Sequence, residues 1–95
     1  MTNKNYVAGA NFERRVVKWY EDMGFDPVIR SAGSHGLSDV TAFWFGFPFF
    51  NSLRLSNVWS PVEREQFEAM VKKNNAKGRY IWRDDKHRIQ FKEIE

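Results

Sequence analysis

The sequence predicts an α/β domain in which two helices flank a mixed central sheet, in the order α-β-β-β-α-β-β. Three observations predict it. An apolar stripe at helical spacing runs through Phe12, Val16, Val17, Trp19, Tyr20 and Met23 and stops at Gly24, with Pro27 just beyond. A run dense in β-branched and aromatic residues extends from Val40 to Phe50. Ser60-Pro61-Val62-Glu63 then opens a second helix, and only short apolar runs follow it.

Each element has a local reason. Phe12 to Met23 forms the first helix because its apolar positions fall on one face. Pro27 to Arg30 is a short extended segment, and a Ser/Gly loop follows it. Val40 to Phe50 reads as a hairpin because Gly46 and Pro48 interrupt an otherwise continuous β-forming run. Leu53 and Leu55 alternate with Ser52, Arg54 and Ser56, the period of a strand with two different faces. In the second helix Ser60 caps, Pro61 takes the first helical position and Glu63 closes a capping box. Phe67, Met70 and Val71 form its buried stripe. Asn74 to Gly78 ends it, Tyr80 to Trp82 is a strand, Asp84-Asp85-Lys86 a turn, and Ile89 to Ile94 the last strand. Trp59 and Trp82 are expected in the core.

With 95 residues and no repeat or linker, the chain reads as one domain spanning 1–95, with a single modest core. It has no cysteine, which excludes a disulfide framework and a thiolate zinc site, and its two histidines, His35 and His87, are too separated to suggest a zinc set. Met1 to Tyr6 lacks the apolar core of a signal peptide and no apolar run is long enough to span a bilayer, so a cytoplasmic location is expected. A net charge of +3 permits a polyanionic partner without requiring one.

The segment Arg30-Ser31-Ala32-Gly33-Ser34-His35-Gly36-Leu37-Ser38-Asp39-Val40 delivers an aspartate from a hydroxyl-rich loop onto an apolar strand. That is how a rigid element presents a metal-binding carboxylate. Glu13 borders the inward face of the first helix, three, four and seven residues before Val16, Val17 and Tyr20, and is placed to reach the sheet. Singly, Asp39 also reads as a turn residue and Glu13 as a helix-start acid. Together with a loop whose glycines and serines suit close approach of a phosphate, they suggest phosphodiester chemistry with a divalent ion.

Gly9-Ala10-Asn11-Phe12-Glu13-Arg14-Arg15-Val16-Val17, Gly24-Phe25, Arg30-Ser31-Ala32-Gly33-Ser34 and Asp39-Val40 together resemble the archaeal Holliday junction resolvases of the PD-(D/E)XK nuclease superfamily. The Ser60-Pro61 helix start and the Tyr80-Ile81-Trp82-Arg83 strand are similar to relatives as well. The resemblance implies a restriction-nuclease-like fold, a homodimer, and Mg2+- or Mn2+-dependent cutting of branched DNA. It also implies metal roles for Glu13 and Asp39 and a catalytic role for a loop serine, with Ser34 favoured.

One departure stands out. Where the family places Glu or Gln, any residue, then Lys, this chain reads Ser52-Leu53-Arg54. Ser52 and Arg54 share one face of the strand, whereas a one-residue slip would present Asn51 and Leu53 instead. Serine is a poor ligand for a hard cation. Arginine can fork onto a phosphate but cannot share a proton as lysine does. Two explanations follow. Glu63 or Glu65 replaces the missing acid, with Lys72 or Lys73 less plausibly replacing the lysine, and Arg54 serves catalysis. Alternatively the site has decayed and the domain binds DNA or protein, with Arg54 as a phosphate clamp.

Arg14, Arg15, Lys18, Arg30, His35 and Arg54 are the expected DNA-contacting cations. Phe43, Trp44, Phe45, Phe47, Phe49 and Phe50 are more aromatics than one small sheet face buries comfortably; a helix-covered sheet hides many of them in the commoner outcome for such a run, and in the sharper one the hairpin is a dimer interface.

Overall fold

The computed structural model describes residues 4–31 and 38–94. Seven elements follow in order: α1 (Lys4–Asp22), β1 (Val28–Arg30), β2 (Val40–Trp44), β3 (Phe47–Leu53), α2 (Pro61–Lys73), β4 (Lys77–Arg83) and β5 (Ile89–Glu93). The strands form one sheet in the spatial order β1-β2-β3-β4-β5. β1-β2, β2-β3 and β4-β5 are antiparallel, while β3 and β4 are parallel and joined by the α2 crossover. The mixed sheet and the α-β-β-β-α-β-β order are as the sequence predicts. Among the described residues no helix is long and apolar enough to cross a membrane.

The sheet divides two cores. On one face α1 buries Phe12, Val16 and Tyr20 against Val40, Ala42, Phe49, Leu53 and Ile81. On the other, α2 buries Phe67 and Val71 against Trp59 and Tyr80. Gly78 permits the close approach of α2 to β4, since a Cβ there would stand 2.7 Å from Val71 Cγ2. The second helix starts as its sequence dictates. The Ser60 side chain accepts from Glu63 N at 3.1 Å while Ser60 N donates to Glu63 Oε1 at 3.2 Å.

Three boundaries differ from expectation, the simplest being β4, which begins at Lys77 rather than Tyr80. Helix α1 begins at Lys4 rather than Phe12, because nothing between them breaks a helix. Val7 is exposed and Ala8, Gly9 and Ala10 are only half-buried, so no apolar period marks this stretch. Leu53 and Leu55 do not form a strand of their own. β3 runs unbroken from the hairpin turn to Leu53, and Arg54 and Leu55 lie beyond its end. Pro48 is tolerated inside β3 because the neighbouring Phe43 donates its N–H away from β3, to Pro27 O at 3.1 Å. The 43–48 pair therefore needs no hydrogen bond, and on the other side β4 begins pairing only at Phe49.

The hairpin turns at Phe45 and Gly46, with φ of 48° and 81°. Positive φ at both positions matches the twist of the strands but favours Asn or Gly, so Phe45 is strained there. It is also 91% exposed, and Trp44 and Phe47 beside it are exposed too, whereas Phe49 is buried and Phe43 and Phe50 are half-buried. Trp59 is in the core as expected, while Trp82 packs against it only in part and keeps some of its surface open.

Candidate functional site

Of the predicted site residues, Glu13, Arg30, Asp39 and Arg54 come together where β2 begins and β3 ends. Asp39 is set there by pairing on both sides. Its N–H donates to Asn51 O at 2.8 Å, its carbonyl accepts from Ser31 N at 3.0 Å, and its carboxylate Oδ2 accepts from Leu53 N at 2.8 Å. Burial raises the Asp39 pKa above the usual carboxylate range. The Leu53 N–H opposes that shift, the nearby Glu13 charge adds to it, and Arg54 opposes it. Glu13 therefore lies within electrostatic reach of Asp39. It is held on α1 by Arg30, whose Nε donates to Glu13 Oε1 at 2.8 Å.

A raised carboxylate pKa makes ionised Asp39 a cost to the folded state at neutral pH. Stability from this group rises as pH falls through the folded pKa and levels off below the unfolded one. Asp39→Asn, which keeps an acceptor for Leu53 N, is thus expected to melt higher than wild type at pH 7 in the presence of chelator. The difference should shrink as the buffer is acidified, and thermal unfolding across pH checks it.

Beyond Asn51 the strand departs from the metal-nuclease pattern in its contacts as well as its sequence. Ser52 is buried on the α2 face, and its hydroxyl accepts from Trp59 Nε1 at 3.0 Å. Arg54 forms an ion pair with Glu63 at the start of α2, and its Nη1 donates to Leu53 O at 3.1 Å. Glu13, Leu53 and Arg54 line a small pocket of about 180 Å³. Ser52 thus faces α2 and Arg54, past the end of β3, reaches Glu63, while Asn51 and Leu53 face α1, the side that carries Glu13, so Ser52 does not take the site-facing position expected of it.

The remaining cations scatter. Arg15 donates to His87 O at 2.7 Å and so ties α1 to the β4-β5 turn, Arg14 donates to Asn11 at 3.2 Å, and Lys18 pairs with Asp22. Ser34 and His35 lie outside the described residues. Lys72 and Lys73 sit in the last turn of α2, at the opposite end of that helix from Glu63.

For a divalent cation the donors present are Glu13 and Asp39. Ser52 is a weak donor for a hard ion and already accepts from an indole, and Glu63 faces a guanidinium rather than a carboxylate. Among the described residues no three His, Cys, Asp or Glu side chains converge. The residues present do not fit the three-donor set that the resemblance implies.

Sequence reasoning missed Asn51. It is fully buried, its Nδ2 donates to Val40 O and Phe49 O, both at 2.9 Å, and its Oδ1 accepts from the Tyr20 hydroxyl. Asn51 locks α1 to the strands that carry Asp39. Its only sequence signal was a polar residue where β3 should be apolar.

No protein-family model matches the chain, and no curated protein matches it by sequence. A solved structure does match: the Holliday junction resolvase of the archaeal hyperthermophile Archaeoglobus fulgidus, at a TM-score of 0.71 and 21% identity, over 85% of this chain and 72% of that one. The fold is that of a Holliday junction resolvase. At that identity the likeness establishes the resolvase fold and leaves the chemistry to the residues described above.

Proposed function

We propose that this chain is a DNA-binding protein that grips the phosphate backbone through a resolvase fold without hydrolysing it. The observation that carries this reading is the fate of Ser52 and Arg54. Ser52 is sealed beneath Trp59 and Arg54 is paired with Glu63, so neither a third metal-binding acid nor a proton-sharing lysine faces Asp39. The resolvase fold and a net charge of +3 support DNA as the partner.

The test is gel shift and cleavage of a labelled four-way junction beside linear duplex, with and without Mg2+ or Mn2+, for wild type and Asp39→Asn. Binding without cutting, equal in both proteins, supports the reading. Metal-dependent cutting lost in the variant overturns it in favour of an endonuclease built on Glu13 and Asp39. Absence of binding to either DNA leaves a protein-interaction domain.

Arg54 is half-exposed, so its pair with Glu63 contributes little and can exchange for a phosphate. Glu63→Gln, which preserves the capping box, is expected to tighten DNA binding and steepen the salt dependence by about 0.9 in log K per log salt. Arg54→Ala should do the reverse, and titrations at several salt concentrations read both.

A homodimer through the aromatic hairpin completes the proposal, with the exposed Trp44, Phe45 and Phe47 as its contact. Phe45→Asn relieves the turn strain while removing a contact ring. Monomer stability should therefore change by no more than about 1 kcal/mol while self-association is lost in sedimentation.

A further inference from the structure

At the carboxyl ends of β3 and β4 lies a hollow of about 370 Å³ lined by Ser56, Asn57, Trp82, Arg83, Lys86 and Arg88 together with Asp84 and Asp85. We propose that it is a subsite for one unpaired nucleotide, the base stacking on Trp82 and the phosphate held by Arg83 and Lys86. The proposal rests on the DNA-binding reading and extends it to a preference for DNA that carries unpaired nucleotides.

Three observations support it. First, the hollow combines an aromatic surface with cations, the pairing used for unpaired nucleotides. Trp82 is half-buried with its inner side fixed against Trp59, ring centroids 6.3 Å apart. Among the described residues neither Arg83 nor Lys86 enters an ion pair. Ser56 and Asn57 add polar groups suited to a base edge.

Second, the turn is built before any ligand arrives. The Asp84 carboxylate accepts from Lys86 N at 2.9 Å, Arg88 N at 2.9 Å, Arg88 Nε at 2.8 Å and Gln90 Nε2 at 3.0 Å. Asp84 N donates to Arg88 O and His87 N to Asp84 O, both at 2.9 Å, and α1 reaches across through Arg15 to His87 O. An exposed turn held by so many bonds loses little entropy on binding. Asp84 is committed to this scaffold, so its charge opposes an incoming phosphate less than a free carboxylate would.

Third, the position is right. Leu53 pairs with Ile81 and Arg54 N donates to Ile81 O at 3.0 Å, so the hollow opens at the same end of the sheet as Arg54. Backbone held near Arg54 would then place the next unpaired base toward Trp82. In continuous duplex the base faces are hidden by stacking, so the subsite discriminates by strand structure.

The experiment is an anisotropy titration at near-physiological salt of a continuous duplex and the same duplex carrying a single-stranded flap. The proteins are wild type, Trp82→Leu and Lys86→Glu. Wild type should bind the flapped DNA about tenfold more tightly, within the range for one stacked base. Trp82→Leu should abolish that preference with duplex affinity unchanged. Lys86→Glu changes only an exposed side chain, keeps the fold whatever becomes of the Trp82 variant, and should also reduce the preference. Equal binding of both DNAs by wild type, or a preference that survives both substitutions, overturns the subsite while leaving duplex binding and the DNA reading intact. Failure to bind either DNA overturns both.

Discussion

Asn51→Leu should destabilise the protein by roughly 3 kcal/mol, a large fraction of the total stability of a small domain. The side chain has no exposure and its three hydrogen bonds run to three different elements of the fold. Leucine would leave the Tyr20 hydroxyl without its acceptor and strip Phe49 O and Val40 O of a donor. Val40 O keeps the Ser38 hydroxyl at 3.0 Å and Tyr20 keeps a long contact from Arg79 at 3.4 Å, so the loss is less than complete. Each orphaned buried group costs about 1–3 kcal/mol. Burial already raises the Tyr20 pKa, a sign that its surroundings offer little solvent to replace what is lost. Urea unfolding of the variant checks the prediction, and a change below about 1 kcal/mol would contradict the latch.

Ser52→Glu, the substitution that would return an acid to the family position, should cost several kcal/mol and gain no metal-dependent stability. Ser52 is 7% exposed and its hydroxyl holds the Trp59 indole. A carboxylate there is desolvated, displaces the indole, and meets an Arg54 already paired with Glu63. Burial of an unpaired charge is among the few mechanisms that produce losses of about 4 kcal/mol or more. The measurement is thermal unfolding of Ser52→Glu with and without Mg2+. A melting temperature restored by the ion would show that the third donor position is still open, and would revive the endonuclease reading.

The parts of the fold legible in the sequence were those governed by local chemistry. Ser60, Pro61 and Glu63 announce their helix because a capping box is complete within four residues. Phe12, Val16 and Tyr20 announce α1 because one face of a helix is a one-dimensional pattern. The meeting of Glu13 with the Asp39 strand was legible for the same reason, since one borders an inward helix face and the other heads a strand. Asn51 was not legible, because Asn followed by Ser reads locally as a turn and its partners lie 2, 11 and 31 residues away. The Glu63 contact with Arg54 was hidden behind the cap that already explained Glu63. The subsite around Trp82 was hidden by the expectation that tryptophan is core.

The sheet is two antiparallel units, β1-β2-β3 and β4-β5, joined along one parallel seam. Arg79 lies across that seam, its guanidinium 4.9 Å from the Phe49 ring centroid on one side and 4.7 Å from Phe91 on the other. In kinetic terms β2-β3 and β4-β5 close through short turns, whereas the seam must first close the loop that contains α2. Assembly of the seam is therefore the slow step. The Arg79 contacts with Phe91 and Glu93 lie within the β4-β5 unit and only its contact with Phe49 crosses the seam, so the effect of its loss should be divided between slower folding and faster unfolding.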